Sequence, residues 1–539
     1  MRSLLCAAAI LLAAVPAMAA EPQFSADRLK ADVGFMADDL LEGRDTGSRG
    51  HEIAAAFVAA EFAKAGLQPA GRNGWYTPLT FPAARLASGK VTITGGGAPA
   101  DFAHGGETIV YPLLAHPTGE VTAPLVFVGF GIDAPKQGFD DYKGLDVRGK
   151  IVVMLNGIPN GPPNEVLAHL ARQKSAMAVA RGAVGVIAVN TLRGIRQYGW
   201  ARRLETANEP DLTWLQSDGK PFDDGAALRG RAMASPAAAE RIFAGAKQSL
   251  AAVLALADTM GGRPRGFALA TSARIESRST ESRITSPQVV GRLPGSDPAL
   301  AAEHVVLMAH LDHIGTSADK KGDKINNGAL DNAAGVAVML EVARAFQTSG
   351  APKRSMLFVA NTAEEKGLLG AEGFAADPGI PAERIVAAVD LDMPLLLYNF
   401  SDVIAFGGDH TTMGPVIADA VKAAGVSLSP DPMPAETIFV RSDHYAFVKR
   451  GVPAIMLATG FGNGGDKIWE SFLRTDYHQP SDDMKLPIDW AAGAKFARVN
   501  YLIARQIADG ADRPRWYQGD YFGATFAPNA PKAPRSGGK

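Results

Sequence analysis

The chain has 539 residues, of which 47% are hydrophobic and 20% are charged. That length exceeds one compact core, so two or three domains are expected, and the composition excludes a disordered protein. The 54 basic and 56 acidic residues nearly cancel and form no long block of like charge. Nucleic acid and acidic membrane surfaces are therefore excluded as main partners.

The N-terminus has the pattern of an export signal. Arg2 precedes an apolar run that ends in small residues near Ala19, so residues 1–20 are predicted to be a secretory signal peptide and the protein to be periplasmic or secreted. The only cysteine, Cys6, lies within this signal, so the mature chain is expected to have no disulfide. No later apolar run is long enough for a membrane span.

Three stretches of different character follow. Residues 25–71 show helical apolar spacing on either side of the polar loop "GRDTGSRG", which predicts two helices joined by a turn. Residues 121–270 alternate short apolar runs with turn residues and predict a separate β-rich domain. After residue 274, strand and helix patterns alternate, which predicts an α/β fold with a mixed, largely parallel sheet and helices on both faces. The end, 513–539, reads as a loose tail.

Metal-competent side chains follow the predicted strands of the last stretch. In an open α/β sheet, ligands bind beyond the carboxyl ends of the strands. The sequence puts acids and imidazoles at such positions, with one more histidine late in the chain: His310, Asp312, Asp331, Glu364, Glu365, Asp392 and His478. Singly, each has an ordinary alternative, for example Asp331 as a helix cap.

Taken together, these residues indicate bound metal. Several carboxylates at one sheet edge repel one another, and burying their charge is costly without a counter-ion. Imidazole with carboxylate and no thiolate suits zinc, with manganese or cobalt also open. Two metals need a bridging ligand, for which Asp331 is the natural choice, and a water held between them needs a base. Adjacent Glu364 and Glu365 point in different directions, so Glu365 can bind metal while Glu364 takes the proton.

Six motifs in order carry a family resemblance. "AHLDHIG", "GALDNAAG", "TAEEKGLLGA", "DLDMP", "RSDHYAFVKRGVPAI" and "YHQPSDD" resemble the di-zinc aminopeptidases related to glutamate carboxypeptidase, over residues 25–71 and 274–509. "FVGFGIDAPKQGFDDYKGLDVRGKIVVM" and "ARGAVGVIAVN" resemble the protease-associated domain inserted in many members. The resemblance implies the zinc exopeptidase fold, with peptidase parts at 21–115 and 273–512 and the insertion at 116–272.

The resemblance also implies roles for the site residues. His310 and Asp392 would hold one zinc, Glu365 and His478 the other, with Asp331 bridging and Glu364 as the base. Asp312 would orient His310 through its free ring nitrogen. Tyr477 would help hold the oxyanion, although a packed aromatic is an equal alternative. A cis peptide is predicted between Asp331 and Asn332, while His313 and Asp390 are predicted to be neighbours rather than ligands.

The segment around "FVRSDHYAF" is expected to form the substrate side of the site. Phe439 is predicted to line the pocket. Arg441 could receive a substrate carboxylate, although a salt bridge to a nearby acid is the more ordinary reading. Asp443 and His444 are predicted to form a hydrogen-bonded pair that supports the pocket.

These observations predict an exported zinc exopeptidase with a peptide substrate and two zinc ions per chain. An aminopeptidase is the first choice. A carboxypeptidase or dipeptidase of the same family, a single-metal acyl-transfer enzyme of the glutaminyl cyclase type, and a catalytically silent binding protein on the same fold remain open. The silent protein is disfavoured because every ligand position is filled.

Overall fold

The computed structural model describes residues 22–162, 164–317 and 322–535, so the predicted signal peptide lies outside the described residues. The helices are α1 (Ala26–Met36), α2 (Arg49–Lys64), α3 (Glu165–Arg172), α4 (Lys174–Ala180), α5 (Leu192–Gln197), α6 (Trp200–Glu205), α7 (Pro236–Ile242), α8 (Leu250–Asp258), α9 (Ala334–Ser349), α10 (Leu369–Ala376), α11 (Met413–Ala423), α12 (His444–Val448), α13 (Gly465–Thr475), α14 (Trp490–Asp509) and α15 (Tyr521–Phe526).

The strands are β1 (Gln68–Pro69), β2 (Tyr76–Thr94), β3 (Ala100–Ala103), β4 (Thr108–Tyr111), β5 (Thr118–Phe127), β6 (Asp133–Ala134), β7 (Phe139–Asp140), β8 (Ile151–Asn156), β9 (Gly185–Asn190), β10 (Asp211–Leu212), β11 (Arg231–Ala234), β12 (Phe267–Leu293), β13 (His304–His310), β14 (Ser355–Asn361), β15 (Ile385–Asp390), β16 (Asp402–Phe406), β17 (Ser427–Ser429) and β18 (Ala454–Thr459). Short 3-10 turns lie at Asp39–Arg44, Pro135–Gln137, Ala382–Arg384, Gly408–His410, Pro434–Glu436, Ile438–Val440 and Gly462–Gly464, and a π-type turn at Ala329–Ala333.

The C-terminal half of the chain builds the mixed sheet that the sequence predicts. β14, β13, β15 and β18 run parallel in that spatial order, and β16 joins β18 antiparallel. Every residue of β13 and β14 is buried, which is typical of strands covered on both faces. α9 and α14 pack against β13, and α12 packs against β15 and β18. The predicted fold class is confirmed.

The inserted region continues the same sheet through two long strands. β12 pairs with β14 at its C-terminal end and with β5 further back, and β2 pairs with β12 along most of its length. Beyond β5 lie β8, β9 and β11 in parallel, and β4 closes the edge. The sheet of the insertion thus includes β4, which lies before residue 116, while β12 crosses the predicted boundary at 272/273.

The C-terminal segment corrects one prediction. The tail was predicted to be loose, but residues 513–535 are docked on the catalytic part. The Trp516 ring is 2% exposed, and its Nε1 donates to the Gly451 carbonyl at 2.8 Å. Tyr517 pairs with Ala533, and Phe522 of α15 is buried. The proline-rich composition concealed these aromatic anchors, each of which buries a large apolar surface.

Among the helices of residues 22–162, 164–317 and 322–535, none is both long enough and apolar enough to span a bilayer.

Candidate metal centre

The site is built where neighbouring parallel strands end. β13 ends at His310 and lies between β14 and β15, in register with both. Asp392 follows β15 by two residues, and the adjacent Glu364 and Glu365 follow β14. Because carboxyl ends of parallel strands share one edge, these side chains converge.

One group of ligand atoms surrounds the Nε2 atom of His310. Asp392 Oδ1 lies 3.1 Å from it and Asp331 Oδ1 lies 3.3 Å from it. All three side chains are buried, and their ligand atoms lie within 4.8 Å of one another. Nδ1 of the same ring contacts the Asp312 carbonyl at 3.1 Å, so the proton sits on Nδ1 and Nε2 keeps its lone pair for a metal.

A second group lies on the other side of Asp331. His478 Nε2 is 3.3 Å from Asp331 Oδ2 and 3.2 Å from Glu365 Oε2. The two oxygens of Asp331 therefore face different imidazoles, as a bridging carboxylate must. A tetrahedral zinc with bonds near 2.0–2.1 Å has ligand-to-ligand edges of about 3.3–3.4 Å. The observed separations have this size, and the N/O donor set without thiolate fits zinc.

His313 is closer to the second group than the sequence indicated. Its Nδ1 lies 2.7 Å from Glu365 Oε1 and 3.8 Å from Asp331 Oδ2, and with these two residues it forms a set able to hold a metal. Its Nε2 is buried and has no hydrogen-bond partner among the described residues. His313 can thus hold Glu365 in place by a hydrogen bond or offer a ligand itself. In the sequence, the feature that could have indicated this role of His313 is its place in the motif "AHLDHIG".

The backbone around Asp331 has an unusual geometry. The peptide bond between Asp331 and Asn332 is cis, which confirms that prediction. Asp482 accepts hydrogen bonds from the amides of Leu330 and Asp331, at 2.9 and 3.0 Å. These two hydrogen bonds fix the turn that presents Asp331. Asp482 belongs to "YHQPSDD", but sequence reasoning assigned it no role.

Left-handed backbone occurs at three residues of the centre or next to it. Ala363 precedes Glu364 and has φ 56°, Met393 follows Asp392 and has φ 47°, and His478 itself has φ 59°. Such conformations are unfavourable for residues with a Cβ atom and collect at functional sites. They direct the metal-competent side chains into the centre.

Asp312 acts differently from the prediction. Its carboxylate does not contact the His310 ring, which instead meets the Asp312 carbonyl. The carboxylate accepts the amide hydrogens of Glu364 and Glu365, at 3.2 and 3.4 Å. The reason is geometric, because the loop after β14 folds over the end of β13 and brings its amides to the carboxylate. Asp312 thus orients the His310 ring through its main-chain carbonyl and supports the two glutamates through its carboxylate.

The electrostatics of the centre call for a cation. Burial lowers the pKa of His310, but the charges of Asp392 and Glu364 outweigh it, and the net shift is well upward. The pKa of His478 likewise rises to about 10 against the effect of burial, through Asp331 and Glu365. The acids thus pull protons onto the imidazoles as counter-charge. A divalent cation replaces those protons at lower cost.

Glu364 differs from its neighbour in protonation. Burial raises its pKa well above the ordinary glutamate value, and the charges of Glu365 and Asp392 add to this while His310 opposes it. Burial also acts upward on Glu365, yet hydrogen bonds from His313 and His478 bring its pKa to about 2. Adjacent glutamates with pKa values pushed apart are typical of a ligand beside an acid/base group.

Tyr477 lies against the second group. Its ring stacks on that of His478, with centroids 3.9 Å apart. Burial raises its pKa far above the usual range, and the charges of Asp331 and Glu365 raise it further. The hydroxyl therefore stays protonated and keeps a donor close to the acids.

The predicted substrate-side residues do not form one pocket. Phe439 is fully buried and stacks on His410 with centroids 4.5 Å apart, so it belongs to the core and lines no pocket. Arg441 is exposed and pairs with Glu436 at 3.0 Å, which agrees with the alternative of a salt bridge to a nearby acid. Neither side chain touches the proposed ligands in any contact within the described ranges.

Asp443 and His444 do not pair with each other, which corrects the prediction. Asp443 accepts from Asn361 Nδ2 at 2.8 Å, whereas the His444 amide donates to Asp390 at 3.1 Å. Adjacent residues at a helix start point in different directions, so each finds its own partner. Next to them, Ser442 Oγ lies 2.7 Å from both Asp390 Oδ2 and Asp392 Oδ2 and steadies the ligand Asp392.

One basic residue near the centre comes from the inserted region. Arg172 ends α3, and the described residues include no hydrogen-bond or ion-pair partner for it. Burial lowers its pKa, while the nearby Glu364 carboxylate acts in the opposite direction. α3 is held on the catalytic part by Tyr445, whose hydroxyl lies 2.6 Å from His169 Nδ1. Nothing in the local sequence around Arg172 indicated this proximity.

Two family models match this chain. Residues 288–504 match the one described as Peptidase family M28, and residues 121–228 match the one described as PA domain. The predicted resemblance and the inserted protease-associated domain are confirmed by these matches.

Individual relatives match over short lengths. A probable zinc metalloprotease from Pyrenophora teres f. teres (strain 0-1) is 38% identical over 107 residues, 20% of this chain and 22% of that protein. One from Pyrenophora tritici-repentis (strain Pt-1C-BFP) is 43% identical over 75 residues, 14% of this chain and 17% of that protein. The chain thus spans less than a quarter of the length of these relatives.

A solved structure matches over nearly the whole chain. The aminopeptidase from Aneurinibacillus sp. strain AM-1 aligns with a TM-score of 0.51 and 20% identity, covering 90% of this chain and 94% of that one. At this identity the match shows a shared fold.

Proposed function

We propose that this chain, whose residues 288–504 match the model described as Peptidase family M28, is an exported, zinc-dependent aminopeptidase. The substrate would be a peptide with a free N-terminus. A signal peptide at residues 1–20 and a periplasmic or secreted location are part of the proposal and rest on the sequence pattern.

One observation carries the proposal. Asp331 presents one carboxylate oxygen to His310 at 3.3 Å and the other to His478 at 3.3 Å. With Asp392 and Glu365 completing the two groups, the donor set suits two zinc ions. Bound zinc would supply Lewis acidity to the substrate carbonyl and to the attacking water.

Glu364 is the proposed general base. Its raised pKa makes it a stronger base than an ordinary glutamate, so it can take the proton of the attacking water and pass it to the leaving amine. Asp312 accepts the Glu364 amide and thereby fixes the backbone position from which the Glu364 side chain extends. The Tyr477 hydroxyl, kept protonated, can donate a hydrogen bond to the oxyanion that forms at the carbonyl.

The experiment compares Glu364→Gln with the purified wild-type chain. Loss of the base is expected to lower kcat by roughly 10²–10⁴-fold on an aminoacyl anilide, because general base catalysis contributes that much. Zinc content should remain at the wild-type value, since Glu364 is not a ligand. Glu365→Gln should instead lose zinc, and Glu436→Gln, an exposed glutamate paired only with Arg441, is the matched control. Wild-type turnover by Glu364→Gln contradicts the base assignment.

Substrate choice separates the aminopeptidase from its alternatives. N-terminally blocked and C-terminally amidated versions of one peptide are given to the wild-type chain. An aminopeptidase cleaves only the amidated peptide, and a carboxypeptidase cleaves only the blocked one. Zinc binding without hydrolysis of any peptide indicates the silent binding protein.

A further inference from the structure

The loop at residues 43–47, within "GRDTGSRG", wraps the metal centre although it lies far outside the segment that matches the family. We refer to it as the N-terminal clasp. Arg44 is 1% exposed and Thr46 is 6% exposed, so two polar side chains of a loop are almost wholly buried. Buried polar groups are retained where they have specific partners.

Arg44 binds main-chain carbonyls on both sides of the centre. Its Nε donates to Leu311 at 3.0 Å, next to His310, and its Nη1 and Nη2 donate to Asn327 and Gly328 at 2.6 and 3.0 Å. These two carbonyls begin the turn that leads to Asp331. The guanidinium thus links the strand end that carries one ligand to the turn that carries the shared one.

Arg44 also adds positive charge to an acidic centre. Burial lowers its pKa to about 10, while the charges of Asp482, Asp331 and Asp312 oppose that shift. The guanidinium stays charged at neutral pH, and it donates these hydrogen bonds to main-chain carbonyls rather than to the carboxylates. It therefore compensates the carboxylates without competing for them.

Thr46 supports the glutamates through Asp312. Its Oγ1 donates to Asp312 Oδ2 at 3.0 Å. The same carboxylate accepts the amides of Glu364 and Glu365. Thr46 therefore contacts Asp312, and Asp312 in turn contacts the backbone of the proposed base Glu364 and of the proposed ligand Glu365.

Backbone contacts complete the clasp. The His313 amide donates to the Arg44 carbonyl at 3.2 Å, and the Gly315 amide donates to that of Gly43 at 3.1 Å. A Cβ atom on Gly43, whose φ is 69°, would lie 2.5 Å from the Asn326 carbonyl oxygen, so only glycine permits this approach. Asp45 adds an ion pair to Lys366 at 2.7 Å, next to Glu365.

We infer that the N-terminal clasp is a positioning element of the active site, in which Thr46 sets Glu364 and Glu365 through Asp312 while Arg44 fixes the Asp331 turn. The inference rests on the proposed function for the roles of the glutamates. It predicts that the clasp controls zinc affinity and turnover although Arg44 and Thr46 hydrogen-bond main-chain carbonyls and Asp312 rather than, among the described residues, the side chain of a proposed ligand.

Thr46→Val tests the clasp in the full-length protein, because valine keeps the shape and removes the donor. We expect zinc affinity, measured by chelator competition, and kcat on an aminoacyl anilide each to fall about tenfold, the usual size for a lost supporting group. KM should stay within twofold, since the substrate is not contacted. Thr46→Ser, which restores the hydroxyl, should recover both quantities.

Thr92→Val is the matched control. Thr92 donates to Asp101 at 2.6 Å on the inserted sheet, so the same chemistry is lost away from the centre, and no change in zinc affinity or kcat is expected. Wild-type zinc affinity and kcat in Thr46→Val overturn the clasp, as does failure of Thr46→Ser to rescue.

Two measurements keep the inference separate from the proposed function. If the wild-type chain hydrolyses no peptide, the proposed function fails, and zinc affinity of Thr46→Val alone decides the clasp. If Thr46→Val does not fold, Asp45→Asn replaces it, since this partly exposed residue then loses the charge that pairs with Lys366, while an asparagine oxygen can still accept the Thr46 amide that Asp45 Oδ1 accepts at 2.8 Å. A twofold to threefold loss of zinc affinity supports the clasp, and no loss contradicts it.

Discussion

Histidines sit among acids in two regions of this protein, the metal centre and the joint between the inserted and catalytic parts. At the joint, His410 Nδ1 lies 2.6 Å from Asp520 of the C-terminal segment, and Nε2 lies 2.9 Å from Glu165 of α3. The pKa of His410 rises to about 10, because hydrogen bonds that its ring donates to these carboxylates outweigh burial, which lowers the pKa. Arg535 lies 3.8 Å from Asp520, so two cations meet the two acids that contact His410 closely, while the exposed Asp409 lies further off, 4.0 Å from Nε2.

The metal centre does not reach such a balance. Each imidazole there lies within 4 Å of two carboxylates. The carboxyl groups outnumber the rings even when Arg44 is added to them: Asp312, Asp331, Glu364, Glu365 and Asp392 meet His310, His313 and His478. At the joint, basic side chains neutralise the acidic side chains that they contact, and these pairs hold the parts together. At the sheet edge the excess of negative charge is left for a bound cation to balance, as the proposed function requires.

The largest expected effect tests this contrast at Asp331. Asp331→Asn removes the charge that both groups share and leaves the side-chain volume nearly unchanged. Zinc affinity should fall more than about 100-fold, because a shared ligand costs more than a supporting group. Activity should be lost with it. Zinc per chain after dialysis and chelator competition measure the effect.

Asp409→Asn is the control for that substitution. Asp409 lies 4.0 Å from His410 Nε2 and is 85% exposed, so the substitution removes one aspartate charge beside the joint. Zinc affinity should not change. If both variants bind zinc as the wild-type chain does, Asp331 is no bridge and the contrast between the two regions is lost.

An intermediate effect is expected at the joint. His410→Gln keeps hydrogen bonding but removes the charge. Because the folded pKa is raised to about 10, the stabilisation is fully present below the unfolded value of about 6.5 and is lost as pH rises through about 10. Allowing for partial solvent screening, we expect about 2 kcal/mol at pH 6.

Thermal unfolding at several pH values measures the contribution of the His410 charge to stability. The gap in Tm between wild type and His410→Gln should be largest near pH 6 and close by about pH 10.5, with zinc affinity unchanged throughout. Glu165 and Asp520 are the acids whose pairing the variant breaks, with Asp409 further away. A gap that does not depend on pH shows that His410 acts by packing rather than by charge.

The central residues of the site could be predicted from the sequence, because the ends of buried strands can be recognised there. "HVVLMAH", "LFVANTAEE" and "AAVDLDM" are buried runs that end in polar residues, and parallel pairing brings such ends together. The proposed ligands, Glu364 and the cis peptide after Asp331 follow from these runs and from the order of motifs. Bound zinc and the roles of these residues stay predictions.

What could not be predicted depends on contacts between distant segments. Arg44 meets Gly328 across 284 positions, and Thr46 meets Asp312 across 266. No local period or spacing encodes such pairs. The docked tail was missed for a related reason, since proline-rich composition predicts disorder while one buried ring, Trp516, suffices to anchor the segment.

The smallest effect is expected at Arg441, which belongs to neither buried region. Its guanidinium is half exposed and pairs with Glu436, also exposed, so Arg441→Ala should change the free energy of unfolding by less than about 0.5 kcal/mol. Zinc affinity should also remain unchanged. The informative measurement is KM for peptides that differ only in one carboxylate. Equal KM ratios in wild type and variant show that the ion pair is a surface feature. A rise of KM confined to the acidic peptide shows instead that Arg441 leaves Glu436 to bind substrate, because a guanidinium held by one weak exposed pair is free to exchange partners.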